Sequence, residues 1–291
     1  MYRLSCIPVL ALLAACGTTT APATNGGSGN GGGVTQETLV WSDEFNGATT
    51  PNAPDPQNWT YDTGAGGWGN QELETYCAYG SSTAPCDAKN PNAYVGTDGY
   101  LHIVARNPAS GVYTSARLKS EGLQSFQYGR IEARIKMPEG QGMWPAFWML
   151  GDDISSVDWP ACGEMDIMES IGSTPSTNYG SIHGTGFTGS QIGTSYTLAN
   201  NAKFGDAFHT FGILWSPKLI KYYVDSPTNV YATYTPTSLP QGAVWPFDTG
   251  KFFFLLNVAV GGSWPGPPNS TTVFPQEMLL DYVRVYAEPA S

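Results

Sequence analysis

Residues Arg130-Ile-Glu-Ala-Arg-Ile-Lys-Met137 alternate without a break: Ile131, Ala133, Ile135 and Met137 fall on one side, Arg130, Glu132, Arg134 and Lys136 on the other. Side chains of an extended chain point to opposite faces in turn, so a period of two marks a strand with one buried and one solvated face. Working outward, similar runs broken by Gly, Pro, Asn and Asp are Leu39 to Phe45, Tyr100 to Arg106, Tyr113 to Lys119, Trp144 to Leu150 and Glu164 to Ser170. Further along come Tyr179 to His183, Phe208 to Trp215, Leu219 to Val224, Lys251 to Val260 and Met278 to Tyr286. No capped window of helical period longer than about two turns stands out, and no internal repeat. Many short strands at turn-punctuated spacing predict an all-β fold, an antiparallel β-sandwich or jelly roll.

The 291 residues carry 13 Lys and Arg against 24 Asp and Glu, a formal charge of −11, with 13% charged and 13% aromatic residues. So few charges with so many rings exclude a solvated disordered chain, and about 250 residues beyond the leader suffice for one large domain. The acidic balance, without any Lys/Arg run, offers nothing to a phosphate backbone, so nucleic acid is not an expected partner. At the front, Arg3, the apolar stretch from Ile7 and the ending Leu13-Ala-Ala-Cys16 read as an export signal, too short for a membrane-crossing helix. The ending resembles a bacterial lipobox, which makes Cys16 the expected lipidation site of a surface lipoprotein; a plain secretory signal cut nearby is the other reading. Residues 17–36, rich in Gly, Thr and Asn, read as a flexible tether leading to a domain over 37–291. In an exported protein Cys77 and Cys86 form the natural disulfide, and Cys162 is a small buried group. No Cys/His metal spacing is present in the sequence, and a monomer is the default.

The segment Trp159-Pro-Ala-Cys-Gly-Glu-Met-Asp-Ile-Met-Glu-Ser170 sets Glu164, Asp166 and Glu169 among apolar Met165, Ile167 and Met168. Alternation puts Glu164 and Asp166 on one face and Glu169 on the other. A β-bulge at Ile167 or Met168 inserts one residue and returns Glu169 to the shared face. Three like charges in a row cost about 0.2–1 kcal/mol per neighbouring pair, so chemistry has to explain them. Hydrolysis of a glycosidic bond does. It needs one ionised carboxylate at the anomeric carbon and one protonated carboxyl to release the leaving oxygen, roughly 5–5.5 Å apart for a retaining mechanism. Asp166 between them would keep the outer pair in different protonation states. An acidic solvent face or a calcium site would use the same three groups, but the apolar surroundings and the nearby Trp-rich strand favour catalysis. Trp144 and Trp148 share parity on that strand, Trp264 sits in a Gly/Pro-rich loop and Trp159 just precedes the acids. All four are candidate platforms for the C–H faces of sugar rings, ordinary core being the alternative for large aromatics.

Gly163-Glu-Met-Asp-Ile-Met-Glu169 resembles the bulged ExDxxE signature of glycoside hydrolase family 16, in the form associated with laminarinase-like endo-1,3-β-glucanases. The resemblance runs through Trp41-Ser-Asp-Glu-Phe-Asn-Gly47, Gly67-Trp-Gly-Asn-Gln-Glu-Leu-Glu74, Tyr113-Thr-Ser-Ala-Arg-Leu118, Tyr128-Gly-Arg-Ile-Glu-Ala-Arg134, Gly142-Met-Trp-Pro-Ala-Phe-Trp-Met-Leu150, Phe254-Leu-Leu-Asn-Val-Ala-Val-Gly-Gly262 and Asp281-Tyr-Val-Arg-Val-Tyr286. It implies a concanavalin A-like jelly roll with a concave cleft and endo-acting, retaining cleavage of β-1,3-glucan, a polysaccharide. In it Glu164 is the nucleophile, Glu169 the general acid/base and Asp166 the assisting carboxylate. It further implies substrate contacts at Asn70, Glu74, Arg117, Asn257 and a cleft-edge His183, no catalytic cofactor, and a structural calcium (Ca2+) at Glu44, Gly99 and Asp281. The competing readings are the same scaffold acting on mixed-linkage glucan or a galactan, a transglycosylase, and a carbohydrate-binding module, which needs no acidic row. The Cys77 to Cys86 loop is outside the family pattern and is expected to shape one end of the cleft.

Overall fold

Alternation of the kind seen at residues 130–137 recurs often enough to build seventeen strands among the residues that the computed structural model describes, 37–188 and 192–287. In chain order they are β1 (Leu39–Asp43), β2 (Thr60–Asp62), β3 (Glu74–Tyr76), β4 (Ala93–Val95), β5 (Leu101–Ala109), β6 (Val112–Ser115), β7 (Arg117–Lys119), β8 (Gly129–Lys136) and β9 (Met143–Gly151). There follow β10 (Glu164–Glu169), β11 (Thr177–His183), β12 (Gly193–Thr197), β13 (His209–Ser216), β14 (Leu219–Val224), β15 (Val230–Tyr234), β16 (Phe252–Val260) and β17 (Gln276–Tyr286). A four-residue helix, α1 (Ile154–Val157), lies between β9 and β10. The expected leader, tether and lipidation site at Cys16 lie outside the described residues.

Two sheets face each other. One has ten strands, ordered β15-β14-β13-β8-β17-β5-β6-β3 with β1 on β17 and β4 on β5; the other has seven, ordered β12-β11-β10-β9-β16-β7-β2. Pairing is antiparallel except for β3 beside β6. The core between the sheets takes Ile131, Ala133 and Ile135 from β8, Phe147 and Met149 from β9, and Phe254, Leu256 and Val258 from β16, all essentially inaccessible. Every residue of β16 is buried, since one face enters this core and the other forms the floor of a cleft. On β8 the expected alternation holds except at Glu132, which is buried because the Tyr223 hydroxyl donates to it and Arg130 pairs with it.

Two expectations change. The run from Tyr113 to Lys119 is two strands, because the chain crosses at the fully buried Ala116 from β6 in the larger sheet to β7 in the smaller. The strands absent from the sequence reading, β2, β3, β4, β12 and β15, are three to five residues long, too short to display a period.

The outer face of the ten-stranded sheet does not fit the calcium set expected at Glu44, Gly99 and Asp281. Both carboxylate oxygens of Glu44 accept from Arg284 (2.9 and 2.7 Å), and Asp281 pairs with Arg134 (2.5 Å). Guanidinium groups already occupy the place of a cation, and a doubly charged ion beside them would be repelled. Cys77 and Cys86 are joined by a disulfide, and Cys162 is a free, buried thiol.

Candidate active site

The decisive local event is on β10. Against β9, Asp166 pairs with Trp148 and Met168 with the very next residue, Phe147, so Ile167 is the inserted residue of a bulge. The register against β11 slips at the same place, between Asp166 and Glu169. Met165, Ile167 and Met168 all enter the core, while Glu164, Asp166 and Glu169 all line the cleft. The insertion cancels the parity conflict read from the sequence.

That cleft has a volume of about 820 Å³ and crosses the strands of the seven-stranded sheet. On its floor each outer glutamate is held by a tryptophan. Trp159 Nε1 donates to Glu164 Oε2 at 2.7 Å, and Trp144 Nε1 donates to Glu169 Oε1 at 2.9 Å. Asp166, 2% exposed, accepts from Ser181 Oγ at 2.7 Å, and its Oδ2 lies 2.8 Å from His183 Nε2. His183 also stands 4.0 Å from Glu164 Oε1.

This crowding displaces the protonation equilibria. Burial and then the charge of Asp166 push the Glu169 carboxyl up to about 8, against the opposing pull of the Trp144 N–H. Burial and Asp166 likewise hold Glu164 well above the usual carboxylate range, with His183 pulling the other way. Burial works against a charge on His183, yet Asp166, Glu164 and Glu169 outweigh it and push the imidazole up to about 9. The row therefore carries protons at neutral pH that isolated carboxylates would have lost. Glu164, Asp166 and His183 are also close enough to share a metal ion, but Asp166 Oδ2 is already engaged by both Ser181 and His183.

The remaining expected residues divide. Trp144, Trp148, Trp159, Trp264, Asn70, Arg117, Asn257 and His183 all line the cleft. Trp148 donates to Asn257 Oδ1 at 2.8 Å, and the Arg117 guanidinium lies over the rings of Trp148 (4.7 Å) and Trp68 (5.1 Å). Trp264 packs edge-on against Trp144 and Tyr179, and Trp159 is half exposed at the rim. Glu74 is not a cleft residue. It is 1% exposed, accepts the Val260 N–H at 2.7 Å, and is pushed up to about 8 by burial and the neighbouring Glu72. Glu72 takes the place expected for it, accepting from Tyr76 Oη and Asn70 Nδ2 within the cleft wall. The stretch before β3 is irregular, with left-handed backbone at Trp68 and Gln71, so strand parity gave no guide there. No residue between Cys77 and Cys86 lines the cleft, contrary to the expectation for that loop. Trp68, Tyr179, Ser181, Thr194 and Ser195 extend the expected set; Trp68, inside the matching Gly67 to Glu74 stretch, and Tyr179 and Ser181, which share the parity of His183, carried a signal, while Thr194 and Ser195 carried none.

A family model described as "Glycosyl hydrolases family 16" matches residues 81–278. A "Beta-glucanase" of Rhodothermus marinus is 40% identical over 260 residues, covering 85% of this chain and 84% of the relative. The catalytic domain of an endo-1,3-β-glucanase (laminarinase) from Thermotoga petrophila RKU-1 superposes with a TM-score of 0.77 at 42% identity, covering 88% of this chain and all of that one. The endo-β-1,3-glucanase of Pyrococcus furiosus does so with a TM-score of 0.75 at 44% identity, covering 86% and 94%. A bulged acidic strand at the floor of a cleft on one sheet of a two-sheet sandwich, agreeing with these relatives across most of the chain, places the protein in glycosyl hydrolase family 16.

Proposed function

We propose that the protein cleaves internal linkages of β-1,3-glucan by double displacement, with Glu164 as nucleophile and Glu169 as general acid/base. The observation that carries the reading is the bulge at Ile167, which sets both glutamates on the cleft face with an indole N–H fixing one oxygen of each. In the first step Glu164 Oε1, the oxygen not held by Trp159, attacks the anomeric carbon. The bond to the leaving oxygen breaks as that oxygen takes the proton of Glu169, whose raised pKa keeps it loaded at neutral pH. In the second step Glu169, now ionised, takes a proton from water, whose oxygen attacks the same carbon and releases Glu164.

Asp166 and His183 set the charge state of the row. Burial and the charge of Asp166 raise Glu164, and His183 opposes them. The nearby His183 imidazolium pulls Glu164 toward the ionised form that attacks. Trp144, Trp148, Trp159 and Trp264 offer ring faces to the sugar, while Asn70, Glu72, Arg117 and Asn257 offer planar polar partners to its hydroxyls. The signal-like leader supports action outside the cytoplasm, with Cys16 as a lipid attachment point.

Incubation with laminarin, lichenan, xyloglucan and agarose, scored for new reducing ends, tests the assignment. Laminarin is expected to be cut fastest, into internal fragments whose new ends first appear in the β configuration. Faster release from lichenan or agarose would reassign the substrate, and no release from any of the four would leave a binding module.

A further inference from the structure

The disulfide-closed loop, which contributes nothing to the cleft, borders a second cavity of about 280 Å³. Pro85 and Asp87, on either side of Cys86, form one wall; Arg106 on β5 forms another, and Phe274 packs there against Tyr113 at 5.4 Å. None of its lining residues is shared with the catalytic cleft.

Two groups in its wall lack partners. Asn92 is 1% exposed; its side-chain nitrogen is committed to Val104 O (2.7 Å) and Thr114 Oγ1 (3.1 Å), while its side-chain oxygen Oδ1 receives no donor among the described residues. Arg106 donates through Nη2 to Pro91 O at 3.2 Å, but its Nε is buried without an acceptor. A nearly buried free acceptor and an unused donor in the wall of one cavity suit a ligand whose groups both donate and accept, which is the property of a hydroxyl. Phe274 and Pro85 supply an apolar surface for ring C–H groups. The volume is at the lower limit for ligand sites, enough for one ring and not for a chain.

We propose that this cavity is a second saccharide site that takes a single pyranose unit of the glucan, and that the Cys77 to Cys86 disulfide fixes its wall. The choice of glucan rests on the function proposed above. The test is a titration of the full-length protein with laminaribiose, followed through the NMR signals of the Asn90 and Asn92 side-chain amides. Both signals are expected to shift saturably. Asn90→Tyr, which sets a ring over the rim, is expected to abolish the Asn92 shift while laminarin hydrolysis stays within twofold and the melting temperature is unchanged. Shifts confined to the cleft tryptophans, an Asn92 shift that survives Asn90→Tyr, or a response to sulfate but not to laminaribiose would each overturn the proposal. Loss of the laminarin assay alone would strike the glucanase reading and leave the titration at this cavity to be judged separately.

Discussion

Carboxylates on the outer face of the ten-stranded sheet and carboxylates on β10 are the same chemical group displaced in opposite directions. Outside, the Arg284 guanidinium holds Glu44 below its ordinary range, and the His102 ring does the same for Glu277. In the cleft, Glu164 and Glu169 are pushed up, because burial and Asp166 outweigh the pull of the His183 imidazolium. Proteins avoid packing acids against one another in low dielectric unless the displaced equilibrium is used. The outer sheet keeps its charges neutralised in pairs, and the inner strand keeps its charges partly unmade.

The sharpest way to break this comparison is to remove an inner acid. Glu164→Ser and Glu169→Gln should each lower turnover of laminarin by about 10²–10⁴-fold while leaving binding of the polysaccharide measurable. Near-normal rates in either variant would mean that the crowding serves something else. In the unaltered enzyme the rate should fall as pH rises past about 8, where Glu169 loses the proton it must donate.

A smaller effect isolates one hydrogen bond. Trp159→Phe keeps a ring at the rim but removes the N–H that fixes Glu164 Oε2. A hydrogen bond to a charged group of about 1.5 kcal/mol corresponds to roughly a tenfold loss in kcat, with KM little changed. The acid limb of the pH profile should also move upward, because ionised Glu164 has lost a donor. A rise in KM at constant kcat would instead make Trp159 a sugar platform and nothing more.

Stability responds as well, and the opposite signs at the two faces mark the contrast. The folded-state pKa of Glu169 is raised, so its contribution is most favourable below the unfolded value of 4.5 and is lost as pH rises through about 8. Glu169→Gln should therefore raise the melting temperature at pH 9. Glu44 is lowered, so its contribution is present above 4.5 and is lost as pH falls through its folded value. Glu44→Gln should lower the melting temperature at pH 7. For the part-exposed Glu44 the change is expected at about 1 kcal/mol or less, on the order of 2–4 °C; for Glu169, raised from 4.5 to about 8, it is expected to be larger, on the order of a few kcal/mol, and both are readable by calorimetry. Shifts of the same sign would dissolve the distinction between the two faces.

The sequence by itself determined the fold class, the long strands and the three acids. Period-two alternation and a parity clash are local properties, and one inserted residue is the least change that reconciles them; the bulge at Ile167 is where that reasoning pointed. It also carried the tryptophans at 144 and 148, whose parity on β9 put them on the cleft side. Tertiary structure alone decided the rest. Glu74 and Glu72 are two residues apart in an irregular stretch, and which of them enters the cleft depends on turns with no period to read. Glu44 and Asp281 read as ligands for a cation until the fold brought Arg284 and Arg134 to them. Ser181, Thr194 and Ser195 became cleft residues only because β11 pairs onto β10 and β12 onto β11. Alternation states which way a side chain points; what it meets there is set by the strand that arrives from elsewhere in the chain.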